Sequence, residues 1–90
     1  MTIEFDQEKR DRAFNERGLD FARASEVFAG PTTTVADTRS DYGEPRFITM
    51  GTLDDRLVVM VWTPRGESRR IISMRKANER EIERFEKRLG

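Results

Sequence analysis

Between residues 46 and 75 the apolar positions change from a helical to an alternating period, and this change constrains the fold of the 90-residue chain more than any other feature. Strands are expected at residues 46–53, 57–63 and 68–75, with a β-prone segment at 32–35 ahead of them. Only Asp54 and Asp55 separate the first from the second, and only residues 64–67 separate the second from the third. Connections this short cannot house a crossover, so the three strands form an antiparallel meander.

The flanks read as helix. After a short strand at residues 3–5, Asp6 can cap a helix over 7–17 that Gly18 stops. A second helix starts at Asp20, presents Phe21, Ala24, Val27 and Phe28 on one face, and ends at Gly30-Pro31. This hairpin must bury Phe14, Phe21, Val27 and Phe28 against the sheet. A last helix is capped by Asn78, with Glu81 completing a capping box and Ile82, Phe85 and Leu89 forming a narrow apolar stripe. Residues 36–45 are the one long polar loop. The expectation is a single α+β domain over 1–90: an antiparallel sheet with two N-terminal helices and one C-terminal helix, packed on one face. Nothing in the sequence depends on disulfides and no long apolar run suggests a membrane span, so a cytoplasmic location is expected.

The formal charge is zero, yet residues 1–44 hold six Lys or Arg against ten Asp or Glu, while residues 45–90 hold eleven against seven. Arginine outnumbers lysine fourteen to three. A guanidinium binds phosphate bidentately and stacks on bases, so both biases suit a polyanionic partner. The cations concentrate at residues 65–77, where five accompany a single carboxylate. The chain has no histidine and no cysteine, which excludes imidazole acid-base chemistry, thiol nucleophiles and thiolate metal sites. Any catalysis rests on arginine, lysine and carboxylate.

Strict alternation over 68–75 puts Arg70, Ile72 and Met74 on one side and Arg69, Ile71, Ser73 and Arg75 on the other. Arg75 and Lys76 lie where the sheet hands over to the last helix, whose amide-rich N-terminus attracts anions. Arg65 marks the preceding turn. Trp62 just before it can stack a base or fill the core. A carboxylate raised by burial or a lysine lowered by neighbouring cations would have to serve as general base, with Lys9 and Glu67 as candidates.

The segment FITMG at 47–51, the run 57–62, Arg65-Gly66-Glu67 and RRIISMRKA at 69–77, with FDQEK at 5–9 and SEVF at 25–28, resemble the BrnT family of bacterial toxins over essentially the whole chain. The resemblance implies a RelE-like fold, a ribonuclease that cuts RNA without metal or cofactor, and a BrnA-like antitoxin that binds it in a toxin–antitoxin heterotetramer. By position it implies functional roles for Lys9, Arg46, Arg65, Arg70, Arg75 and Lys76. Where the family often carries Asn, Lys and His before its glycine, this chain has Ala13, Glu16 and Arg17, and an aromatic that is usually tyrosine is Phe85. A mechanism needing that histidine or phenol does not transfer.

Two functions compete. In the first, Arg65, Arg70, Arg75 and Lys9 carry out cleavage by the 2′-hydroxyl while Arg46, Trp62 and Lys76 bind RNA. In the second, the same basic face belongs to a module that binds RNA or a partner protein and cuts nothing.

Overall fold

The computed structural model describes residues 2–89, the side chain of Leu89 excepted. Strand β1 (Thr2–Phe5) leads into helix α1 (Gln7–Arg17), a 3-10 turn (Phe21–Arg23) and the short helix α2 (Ala24–Ala29). Four strands follow, β2 (Thr33–Ala36), β3 (Phe47–Leu53), β4 (Arg56–Arg65) and β5 (Ser68–Lys76), and helix α3 (Glu79–Leu89) ends the chain. The stripe expected on α3 is therefore described at Ile82 and Phe85, while the Leu89 side chain lies outside the described residues.

The local signals act as expected. Asp6 accepts the amides of Glu8 and Lys9, and Gly18 adopts the left-handed conformation (φ 70°) that closes α1. Asn78 and Glu81 exchange side chain-to-backbone bonds of 2.9 Å in each direction, a complete capping box. Asp54 and Asp55 both take positive φ, 52° and 62°, in the two-residue β3–β4 turn, a conformation that aspartate tolerates better than most residues.

The sheet order is β1-β5-β4-β3-β2. β2 through β5 form the antiparallel meander, but β1 joins β5 in parallel, so the sheet is mixed and not purely antiparallel. The cause is topological: α1 and α2 carry the chain across one face, from β1 at one edge to β2 at the other, and the meander then returns to β1. β1 pairs only as far as Ile71. Beyond it, Arg17 donates to the carbonyl of Met74 at 3.1 Å and helps cover the open edge of β5.

The core lies between the sheet and this helical crossover. Ala13, Leu19, Phe21, Ala24 and Val27 pack on Leu53, Val58, Met60, Trp62, Ile71 and Met74. At Gly51 any Cβ would sit 2.7 Å from the Val27 side chain, so the glycine lets α2 approach β3. Phe14, expected inside, is 47% exposed with the Arg10 guanidinium over its ring, because α1 buries little beyond Ala13.

The helices do not share one face. Residues paired across strands project to the same side, and β4 places Val58, Met60 and Trp62 under α1 and α2 while Val59, Val61 and Thr63 face away. On that second face α3 brings Ile82 and Phe85 beside Leu57 and Thr52, and Glu81, Arg84 and Arg88 beside Ile48 and Met50. Val59 and Phe85 are buried outside the main core cluster, giving α3 its own anchorage. No described helix is long and apolar enough to cross a membrane.

Candidate nucleic-acid interface

One irregularity decides where the arginines of β5 point. Val61 pairs with Ser73 but Trp62 pairs with Ile71, leaving Ile72 as an extra residue in a β-bulge. The bulge inverts the alternation beyond it. Ile71 and Met74 thus both enter the core, and Arg70, opposite Thr63, shares the second face with Ser73 and with Arg75, opposite Val59. Strict alternation would have split Arg70 from Arg75. The same register sends Lys76, opposite Val58, to the first face, so a groove containing all of Arg65, Arg70, Arg75 and Lys76 does not form.

The second face carries further cations. Arg65 lies opposite Ser68 at the far end of the β4–β5 hairpin. Arg46 precedes Phe47, which faces Trp62, so the register carries it alongside Thr63 and in line with Arg70. From the 37–45 loop, Arg39 comes near enough to Arg75 for their charges to oppose each other.

These guanidiniums differ in how firmly they are held. Arg75 is clamped by Glu81 at 2.7 and 2.8 Å, which raises the arginine and lowers the glutamate pKa from their ordinary values. Arg39 is clamped at 2.8 Å by both oxygens of Asp37, whose buried carboxyl is held down at about 2, mainly by this hydrogen-bonded pair. Arg70 is the least committed of the three. Its nearest carboxylate is Glu4 at 3.9 Å, and its side chain is 33% exposed.

Trp62 is no base platform. The ring is 9% exposed, packs edge-on to Phe28 and tilted on Phe47, carries Arg69 above it, and donates its indole N–H to Thr49 Oγ1 at 2.8 Å. It is core because unbroken alternation along β4 puts it on the helical face with Val58 and Met60. Tyr42 is the aromatic near the second face, half-buried under the Arg46 guanidinium at 4.0 Å. The sequence signal for it was slight, a lone tyrosine in the polar loop.

Lys9 and Glu67 are both exposed, Glu67 at the β4–β5 turn and Lys9 on α1 beside a cleft it shares with Ile72 and Ser73. Glu67 thus lacks the burial expected of a carboxylate base, whereas Lys9 shares its cleft with Arg12 and Arg17, the kind of cationic neighbours expected for a lysine base. Among the described residues no group of three or more carboxylates is arranged to hold a metal ion.

A family model described as "Ribonuclease toxin, BrnT, of type II toxin-antitoxin system" matches residues 5–81. The chain belongs to this family. No curated protein matches the chain.

Proposed function

We propose that this BrnT-family chain is a metal-independent endoribonuclease of RelE-like architecture, acting through the second face of its sheet. The bulge at Ile72 carries this reading, because it sets Arg70 and Arg75 on one rigid face where both can meet the same RNA backbone. Arg70 and Arg75 take the catalytic positions and Arg46 and Arg65 bind the flanking strand. Lys9, at the β5 edge, serves the backbone from the side.

In the reaction the ribose 2′-oxygen bonds to the adjacent phosphorus and the P–O5′ bond breaks, leaving a 2′,3′-cyclic phosphate and a 5′-hydroxyl. The 2′-hydroxyl gives its proton to water and the departing 5′-oxygen takes one from water, so the chemistry rests on positioning and charge stabilisation rather than on a tuned side-chain base. Negative charge grows on the phosphoryl oxygens in the transition state, where fixed guanidiniums stabilise it more than in the ground state. Arg75 must exchange Glu81 for phosphate to take part, which favours a modest rate. The antitoxin is a BrnA-like protein that forms a heterotetramer with the toxin, and both act in the cytoplasm.

The test is cleavage of single-stranded RNA by the purified chain in excess chelator. We expect cleavage to persist and the products to carry cyclic phosphate ends. Loss of activity in chelator with recovery on adding magnesium would refute metal independence, and RNA bound but never cut would favour the non-catalytic module.

A further inference from the structure

We infer that the 37–45 loop and the start of β3 form a separate nucleotide subsite, in which Tyr42 stacks a base and Arg46 with Arg65 hold the adjoining phosphodiester. This rests on the ribonuclease reading of the same face.

The first observation is an imperfect ion-pair cluster. Glu44 stands between two guanidiniums, 3.3 Å from Arg65 Nη2 and 3.6 Å from Arg46 Nε. Other arginine–carboxylate pairs here close to 2.6, 2.7 and 2.8 Å. One planar carboxylate is thus shared by two guanidiniums and fits neither closely. The second observation is that Arg46 Nε is buried and has no hydrogen-bond acceptor among the described residues. A buried guanidinium N–H left without an acceptor is unusual, and it identifies a position where an anion with better reach would be retained. A phosphodiester offers two non-bridging oxygens diverging from a tetrahedral centre, so it can serve both arginines at once. Glu44 occupies the place of that phosphate.

The surroundings keep the subsite in shape. Thr63 donates to the Pro45 carbonyl at 2.6 Å, and the Asp37 amide donates to the Arg46 carbonyl at 2.8 Å, fixing both ends of the loop to the sheet. Arg46 lies on one side of the Tyr42 ring, and a half-buried phenol ring backed by a guanidinium suits a stacked base. The cross-strand line from Arg46 through Thr63 to Arg70 then runs from this subsite toward the cleavage position, which matches the path of an extended strand.

The experiment measures binding of an uncleavable 2′-O-methyl hexanucleotide, the same backbone with abasic sugars, and inorganic phosphate. Glu44→Gln should tighten the hexanucleotide by about 3- to 10-fold, because a carboxylate that competes with phosphate is neutralised. Tyr42→Ala should weaken the hexanucleotide by about 10-fold and leave the abasic strand unaffected, since stacking needs the base. Arg46→Lys, which keeps the charge but loses the fork, should weaken both strands. Arg56→Ala, which removes an arginine from the first face, controls for general charge. Inorganic phosphate should compete only weakly.

An unchanged or weaker Glu44→Gln complex overturns the inference, as does a Tyr42→Ala effect equal on both strands or phosphate competing as well as the hexanucleotide. If the variants leave RNA binding intact but release the antitoxin, the surface belongs to the protein partner and the inference also fails. Failure of the wild-type chain to bind either strand would instead defeat the ribonuclease reading on which the inference stands.

Discussion

Replacing Trp62 by alanine should lower the unfolding free energy by about 3 to 5 kcal/mol, as truncation of a large buried aromatic does. The ring closes one edge of the main core between Phe28 and Phe47, and its removal leaves a cavity that the sheet backbone cannot close. A domain of this size has roughly 5 to 15 kcal/mol in all, so the loss takes a large share of the total. Trp62→Phe separates the causes. It keeps most of the apolar contact and loses the bond to Thr49, whose hydroxyl retains Thr34 at 2.8 Å, so about 1 kcal/mol is expected. Denaturant unfolding of both variants checks this. A Trp62→Ala protein of normal stability with weakened RNA binding would put the indole back at the RNA surface.

Arg70→Ala should reduce RNA cleavage by about 10² to 10³ with the melting behaviour nearly unchanged, by analogy with removing one preorganised charge-stabilising donor. Its backbone is fixed between β1 and β4, opposite Glu4 and Thr63, while its guanidinium has no close carboxylate partner among the described residues and so is available to a phosphate. Among the described residues its carboxylate neighbour is Glu4 at 3.9 Å, a partly exposed pair, and such pairs contribute about 0 to 1 kcal/mol to stability. Arg70→Lys should recover part of the rate, because charge is retained while the bidentate fork is lost. Single-turnover cleavage with parallel thermal melts gives both readouts. A fully active Arg70→Ala enzyme would move the chemistry elsewhere on the molecule.

The elements written in local code were legible in the sequence. Asp6, Gly18, Asn78 and Glu81 mark helix ends by hydrogen bonds within a few residues, and the Asp54-Asp55 turn fixes the β3–β4 register by its length alone. What depended on distant pairing was not legible. The parallel docking of β1 on β5 follows from where the helical crossover ends, and α3 lies on the second face because Phe85 finds its burial there. The bulge at Ile72 carries no composition signal, yet it decides that Arg70 and Arg75 share a face and that Lys76 leaves it. Trp62 was ambiguous because a lone tryptophan beside arginine suits a core and a binding face equally. Its burial is set by Phe28 and Phe47, one of them 34 positions earlier in the chain and the other 15.

Arg75 and Lys76 are neighbours in sequence and lie on opposite faces of the sheet, opposite Val59 and Val58 respectively. Comparing RNA cleavage by Arg75→Ala and Lys76→Ala, each verified as folded, therefore tests which face does the chemistry with the chain position held almost constant. Arg75→Ala is expected to lose most of its cleavage while Lys76→Ala cuts RNA like the unaltered chain. Loss of cleavage in Lys76→Ala with an active Arg75→Ala would contradict a reaction on the second face.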